Sequence, residues 1–369
     1  MSFLKVIEKY EKFNFEDYFN RVTEEDIKRS IYKNKLNEED FLNIISPKGE
    51  KYLEEMAQKA HEISNRYFGK TVLLYTPLYI ANMCVNRCAY CSYNHDNNIL
   101  RAKLTMEEIE KEAKAIAEEG FKHIILLTGE SPKDTPIEYL VDAIKVLKDY
   151  FPSITLEVQP LSEEDYKKAI EAGADGLTVY QEVYDREIYK KVHLGGPKRN
   201  YNFRLDAPER GAKAGMRNIS VSALLGLNDF RKEVFLTALH GKYIKDNYPG
   251  VDVAFSAPRI RPHAGTFHDI YPVSDKNLVQ CILALRLFHN NSVINISTRE
   301  SASFREKLIP LGVNKMSAGV LTEVGGHCKD TKGKGESQFL ISDQSSTEDV
   351  KKMIKRLGYQ PIFKDWERI

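Results

Sequence analysis

At 369 residues, the chain is too long for one small core and fits either two compact domains or one large α/β barrel. An apolar content of 42% supports a packed interior, and 54 basic against 53 acidic residues leave no long-range field for a polyanion, so nucleic acid is disfavoured as a partner. No apolar run is long enough to cross a bilayer, and MSFLKVIEKYEKFNFEDYF at the start lacks the apolar centre of a signal peptide; the expectation is a cytoplasmic protein with reduced thiols and no membrane partner.

Residues 1–70 read as an extension made of helices alone. Thr23 is placed to cap TEEDIKRSIYKN, Asn37 caps the next segment, and KYLEEMAQKAHEISNRYFG is a long amphipathic helix closed by Gly69. From residue 71 to about 320 the rhythm changes. The segment contains eight β-rich apolar runs, TVLLYTPLY, HIILLTG, ITLEVQP, GLTVYQ, ISVSALLG, VDVAFSAP, VINIS and NKMSAG. Helical patterns alternate with them, among them LTMEEIEKEAKAIAEEG with a Thr105–Glu108 capping box, PIEYLVDAIKVLKDYF, SEEDYKKAIEAG and APERGAKAG. Eight strand–helix units predict an α/β fold, a (β/α)8 barrel of the TIM type. A doubly wound open sheet is the competing reading, because counting strands does not show closure. Over 321–369, a Gly- and Lys-rich loop, GVLTEVGGHCKDTKGKGESQF, begins just before the boundary and leads to one last helix and an edge segment.

Three of the five cysteines, Cys84, Cys88 and Cys91, fall within CVNRCAYC at spacing C-x3-C-x2-C. Soft thiolates select zinc, copper(I) or iron–sulfur centres. Structural zinc wants four closed ligands, and here the fourth would have to be His95 or the distant Cys281 or Cys328. A four-iron cluster also takes four thiolates as a rule; three leave one iron open to a substrate or cofactor. The alternatives are three ordinary buried cysteines, or a zinc-stabilised binding module without chemistry. Cys281 lies in an apolar helical run and reads as core, and Cys328 as an unligated loop thiol.

C-x3-C-x2-C with an aromatic residue, Tyr90, before the third cysteine resembles the motif of the radical S-adenosylmethionine (SAM) superfamily. From about residue 15 onward the chain resembles the ThiH family, the tyrosine lyases (2-iminoacetate synthases) of thiamin thiazole biosynthesis. The stretches that carry this are LYIANMCVNRCAYC, LLTGE, LEVQPLSEEDY, VYQEVYDREIYKKVH, FSAPRIRP, STRESASFREKLIPLGVNKMSAG and YQPIFKDW. A related tyrosine lyase, that of hydrogenase maturation, holds a second cluster in a C-terminal extension. With only Cys328 in its tail, this chain is not expected to do so, and LEVQPL and KDW favour the thiazole branch.

The resemblance implies a 4Fe-4S cluster on the three cysteines and SAM on its open iron. It implies cleavage of the Cα–Cβ bond of tyrosine to 2-iminoacetate and p-cresol, with 5′-deoxyadenosine and methionine as the other products. It also implies a flavodoxin or ferredoxin reductant and a thiazole synthase (ThiG-type) partner that receives the labile product. Functional side chains of such a barrel sit at C-terminal strand ends. Thr128, Gly129 and Glu130 take the place of the superfamily's GGE motif, with threonine for its first glycine. There Gly129 would permit close backbone approach and backbone acceptors would meet the SAM ammonium; read alone, TGE is a strand exit with a solvated glutamate. Ser92 stands where many relatives have glycine.

Glu157 with Gln159 ends the third strand and Gln181 with Glu182 the fourth; a carboxylate suits ribose hydroxyls or an ammonium. By resemblance, Glu182 and Arg204 clamp the methionine end of SAM, against a plain surface ion pair for either. Arg299 and Ser317 are expected at the substrate's carboxylate and amino groups, Ser317 having a small core residue as its alternative. Tyr90 is expected against adenine or the substrate amine, and Tyr93 beside the cofactor or in packing. Arg259 and Arg261 set charge near the substrate or pair with rim acids; His263 and His268 are weaker loop candidates. An enzyme with the same cofactors acting on another aromatic amino acid stays open.

Overall fold

The structure, a computed structural model, describes residues 2–264 and 267–364. Asp365 and Trp366 of the KDW motif lie outside the described residues.

The N-terminal helices form where their caps predict. Thr23 accepts the Asp26 N–H while Asp26 accepts that of Thr23, starting helix Glu24–Tyr32; Asn37 and Asp40 do the same for Glu38–Ile45. Gly69, at φ 60°, ends helix Leu53–Phe68. These helices share one continuous core with the later strands and helices of the chain. Tyr10 meets Phe235 edge-on at 4.9 Å and Phe41 meets Phe288 at 5.3 Å, which ties them to helices Phe230–Asn247 and Asp275–Phe288.

Strands β1 (Thr71–Ala81), β2 (His123–Thr128), β3 (Ser153–Glu157), β4 (Gly176–Thr178), β5 (Asn218–Val221), β6 (Asp252–Ser256), β7 (Val293–Ile296) and β8 (Lys315–Ser317) pair in chain order, all parallel. Strand β1 pairs with β2 through Leu78↔Leu126 and with β8 through Leu74↔Met316, so the sheet closes into an eight-stranded barrel. That closure decides against the open doubly wound sheet. A short β9 (Gln360–Ile362) pairs with Thr71–Leu73 on the edge of β1 that further along takes β2; this is the edge segment expected at the end of the chain.

Strand periodicity divides the side chains. Leu74, Leu78, Ile80, Ile124 and Leu126 face the helices and join the main core. Tyr75, Tyr79, Ile125 and Leu127 face inward and form a separate cluster with Tyr93, against which Cys84 and Cys91 pack. The residues after β8 cross the barrel mouth instead of leaving it. Gly325 N–H donates to Tyr79 O (2.9 Å), Gln338 N–H to Thr322 O (3.2 Å), and Ser342 N–H to Thr298 O (2.8 Å). A buried Arg305–Asp343 ion pair fixes the far end. Helix Thr347–Arg356 then packs Val350 and Ile354 inward. No helix among the described residues is long and apolar enough to cross a membrane.

Candidate active site at the barrel mouth

Strand β1 delivers the chain into the cysteine loop at Ala81. Asn82 bridges the loop's two ends, donating to Leu100 O (2.9 Å) and accepting the Ala102 N–H (2.7 Å). Arg101 donates to the carbonyls of Asn82, Tyr93 and Asn94 at 2.7–3.0 Å, so one guanidinium holds a segment that has no sheet of its own. The outer side of the loop is sewn to residues 192–195: Ala89 N–H donates to Val192 O, Leu194 N–H to Arg87 O and Arg87 N–H to Gly195 O, at 2.8–3.0 Å.

Cys84, Cys88 and Cys91 line one cavity of about 80 Å³ together with Thr128, Gly129, Glu130, Glu157, Glu182, Lys198 and Arg204. A neighbouring cavity of about 70 Å³ reaches Tyr75, Arg299 and Ser317, and a third of about 80 Å³ reaches Tyr90, Arg261 and Phe339. All three share Glu157, Tyr180 and Gln338 as walls. The mouth thus gathers the three cysteines with Tyr90, Tyr93, Thr128, Gly129, Glu130, Glu157, Glu182, Arg204, Arg299 and Ser317. A larger cavity, about 860 Å³, lies among residues 34–39, Tyr67, Lys242 and Phe288; it holds no thiol, and the chemistry is placed at the barrel mouth.

Burial pushes the Cys91 thiol up to about 11 and those of Cys84 and Cys88 up as well, Glu130 adding to the effect on Cys84. Only a cationic centre would hold all three as thiolates. Among the described residues no three His, Cys, Asp or Glu side chains converge where one metal ion would sit. Three thiols lining one shared cavity fit a multi-iron centre, whereas structural zinc needs four closed ligands.

The TGE segment is built around that loop. A Cβ on Gly129 would overlap the Met83 carbonyl oxygen, so the close approach this glycine permits is to the cysteine loop itself. Gly129 N–H donates to Ala81 O (2.9 Å), and Val85 N–H donates to Glu130 O (3.0 Å); one of the backbone acceptors expected for an ammonium already serves the loop. Glu130 is not the solvated glutamate of a plain strand exit. Its side chain is 13% exposed, binds Arg204 Nη1 (2.6 Å) and accepts from Asn86 Nδ2 (2.6 Å).

Arg204 is no surface ion-pair residue either. It is 8% exposed and donates to Glu130, to Tyr180 O (2.7 Å) and, at 3.4 Å, to Glu182. Glu182 also receives Lys198 Nζ at 2.8 Å. Among the described residues it is the only non-glycine with positive φ, 71°, a conformation that costs of order ~1–3 kcal/mol and persists where surroundings impose it. Burial would raise the Glu130 carboxyl, but Arg204 and Lys198 hold it below the usual range. At Glu157 the balance is reversed: burial and the Glu182 charge outweigh Arg299, Arg204 and Lys198 and raise it to about 7.

Tyr90 has a defined orientation. His193 lies well below its ordinary value because of burial, Lys198 and Arg204, so its ring is neutral. Its Nδ1 lies 2.8 Å from Tyr189 O, which can only accept, so Nδ1 carries the proton and Nε2 accepts from the Tyr90 hydroxyl at 2.7 Å. Tyr93 is buried, donates to Thr322 O (3.3 Å) and meets Tyr79 edge-on. Ser317 Oγ accepts the Thr298 N–H at 3.2 Å. The Arg299 guanidinium lies 3.5 Å over the Phe339 ring and makes a 3.4 Å contact to Arg259 O; no carboxylate forms an ion pair with it among the described residues, and burial lowers its pKa.

Arg259 and Arg261 separate. Arg259 is committed to Glu300 and Asp275, the rim-acid alternative, whereas Arg261 reaches the third cavity and binds Ser342. His263 is half-buried and His268 exposed, and neither lines the cavities. Gln159 turns outward to Ser131 N–H and Thr135 O. Cys281 is buried core; Cys328 sits in a loop whose N–H groups bind Glu112. Sequence reading missed Asn86, Tyr180, His193, Lys198, Gln338 and Phe339. Lys198 looks like part of a solvated KRN run, and only the Gly195–Gly196 pair before it hints at close backbone packing.

A closed parallel barrel with three cysteines at this spacing on the loop after its first strand defines the radical SAM class. The model of the Radical SAM superfamily matches residues 78–239, and that of the Biotin and Thiamin Synthesis associated domain matches residues 256–360. The chain is 36% identical to the 2-iminoacetate synthase of Escherichia coli over 94% of its own length and 92% of that protein, and it belongs to the 2-iminoacetate synthase family. It is 30% identical to the 3-methylornithine synthase of Methanosarcina acetivorans over 88% of this chain and 90% of that one. Among solved structures, the FeFe-hydrogenase maturase HydG from Carboxydothermus hydrogenoformans superposes with a TM-score of 0.84 at 30% identity, covering 98% of this chain and 83% of that one.

Proposed function

We propose that the protein is a radical SAM carbon–carbon lyase that cleaves the Cα–Cβ bond of L-tyrosine to 2-iminoacetate and p-cresol, supplying thiamin thiazole formation. Membership of the 2-iminoacetate synthase family sets the reaction class. The observation that supports the substrate assignment is the half-buried Arg299 guanidinium, which lines the cavities, forms no ion pair with a carboxylate among the described residues and so offers a planar fork to an amino acid carboxylate.

Cys84, Cys88 and Cys91 would hold the 4Fe-4S cluster, and the TGE segment, Glu157, Glu182 and Arg204 would hold SAM. When bound, these two groups supply a 5′-deoxyadenosyl radical that takes a hydrogen atom from the tyrosine amino group. The chain's residues bind, orient and exclude water. The 3.4 Å arm of Arg204 to Glu182 is the weaker one and is free to turn to the SAM carboxylate, leaving Glu182 for the ammonium. Glu157, protonated or ionised near neutrality, suits ribose hydroxyls. Ser317 Oγ, held by Thr298 N–H, faces the substrate amine, and Tyr90, held by His193, closes the wall beside Cys91. Gln338 and Phe339 of the crossing tail cover the mouth and keep the space dry. A low-potential carrier, flavodoxin or ferredoxin, a ThiG-type acceptor of the product and a cytoplasmic setting complete the reading.

The test is an anaerobic reaction with SAM, reductant and tyrosine, read by mass spectrometry. The proposal expects p-cresol and glyoxylate, the hydrolysis product of 2-iminoacetate, in equal amounts with 5′-deoxyadenosine. If 5′-deoxyadenosine forms with tyrosine intact and another aromatic amino acid consumed, the substrate assignment fails.

A further inference from the structure

Beside the three cavities of the mouth lies a fourth, of about 400 Å³, among the segments that follow β2, β3 and β4. That volume is within the range of small-molecule sites. Pro132, Pro136, Ile137, Pro160, Leu161 and Pro197 give it an apolar wall. The prolines have fixed φ, so the wall keeps its shape without a ligand. Phe203, 42% exposed, forms its lip, with the Arg210 guanidinium 3.9 Å over the ring. Gln159 and Asn200 are committed to backbone groups, Gln159 to Ser131 N–H and Thr135 O and Asn200 to Phe203 N–H. Glu138 on the rim is exposed and forms no ion pair among the described residues.

The inner end of this lateral cavity is charged. Glu130, Lys198 and Arg204 line it and also line the cavity of the three cysteines, so they are a wall common to both. The contact of Arg204 to Glu182, at 3.4 Å, is the longest bond in that wall. A zwitterion crossing it would keep a cation for its carboxylate and an anion for its ammonium throughout, which removes the main cost of moving charge through a buried space. The mouth itself is crossed by the tail. Leaving that way would break the tail's bonds to Tyr79 and Thr298 and the buried Arg305–Asp343 pair.

We propose that the lateral cavity receives free L-methionine as it leaves the cysteine site, with Arg204 and Lys198 on its carboxylate, Glu138 on its ammonium and the proline wall against its thioether chain. Methionine is a zwitterion with an unbranched apolar chain, and the cavity has a charged end and an apolar wall. The inference rests on the radical SAM reading, which makes methionine a product, and not on the choice of tyrosine as substrate. Departure by this side leaves the tail closed over the reacting amino acid.

The experiment uses the reconstituted holoenzyme with L-selenomethionine and 5′-deoxyadenosine. Selenium anomalous scattering is expected at two places, beside the cysteines and between Pro160, Leu161 and Phe203, and calorimetry is expected to show two binding events. Ile137→Trp, which fills the lateral cavity, is expected to remove one of those events. In rapid-quench kinetics it should leave the first turnover of 5′-deoxyadenosine at the native rate and slow later turnovers roughly tenfold. Glu138→Gln, which leaves the space open, is expected to weaken the lateral event about twofold to fivefold. Selenium beside the cysteines alone would overturn the proposal, as would a lateral peak with a single event in solution, which would mark occupancy at crystal concentration only. Native later turnovers in a folded Ile137→Trp protein would overturn it too. If the bulky residue disturbs folding, Glu138→Gln decides, and unchanged lateral affinity in that variant overturns the proposal. Absence of SAM cleavage by the native holoenzyme would instead remove the radical SAM reading beneath it.

Discussion

Glu157 stands where three cavities meet, with a carboxylate of its own sign, Glu182, as a neighbour. Its pKa of about 7 against an ordinary 4.5 means that the folded protein binds this proton more tightly than the unfolded chain does. Below pH 4.5 both states are protonated and the group is neutral to stability. Between 4.5 and 7 the unfolded state ionises first, so stability falls as pH rises, and above 7 the loss is constant. Glu157→Gln is therefore expected to raise the melting temperature more at pH 8 than at pH 5, by an amount on the order of 1–3 kcal/mol in stability. An equal difference at both pH values in thermal melts of the cluster-free protein would show that the carboxyl is ionised throughout. The identity of this residue as a site candidate was legible, since it closes an apolar strand run. Its elevated pKa was not, because that depends on burial and on Glu182, which a different strand supplies.

At the scale of elements, Thr128 to Glu130, Glu157, Glu182, Arg299 and Ser317 line one mouth, because a parallel barrel sends all its strands' C-terminal ends to the same side. Strand lengths were less legible. GLTVYQ contributes only Gly176–Thr178 as regular strand; beyond it the pairing thins to a single bridge between Glu182 and Ala223, where Tyr180 and Glu182 line the site. Gly129 is the joint between two elements, and its substitution tests whether TGE supports the cysteine loop. Gly129→Ala drives a methyl group into the Met83 carbonyl, which is expected to cost about 1–3 kcal/mol and to lower iron retained after reconstitution. Thermal unfolding and iron content check this together. Undiminished iron with native stability would mean that the loop accommodates the methyl group by moving.

The whole molecule is closed by its tail. The chain from Val320 to Asp343 crosses the mouth, supplies Gln338 and Phe339 to the cavities, and ends at the buried Arg305–Asp343 pair, with Arg305 also donating to Ser317 O. Removing one partner leaves a buried charge uncompensated, so Asp343→Ala is expected to cost about 3–5 kcal/mol. It should also expose residues 321–343 to limited proteolysis under conditions where the native protein resists. Native protease resistance would show that the backbone bonds to Thr298 and Tyr79 hold the tail unaided. Nothing in GVLTEVGGHCKDTKGKGESQF announces a lid, because its anchors are single backbone groups and one carboxylate whose partners lie elsewhere in the chain.

The sequence by itself determined the alternation of strands and helices, the caps, and the three thiols with their spacing, since these arise from local propensity, periodicity and the chemistry of residues close in the chain. Tertiary structure alone decided that the sheet closes and that Glu130, Glu182, Lys198 and Arg204 form one buried network. It also decided that Tyr90 points to His193 and that the tail covers the mouth. Each of these depends on groups far apart in sequence, whose meeting is settled by the packing of the whole barrel and by the cost of burying charge without a partner.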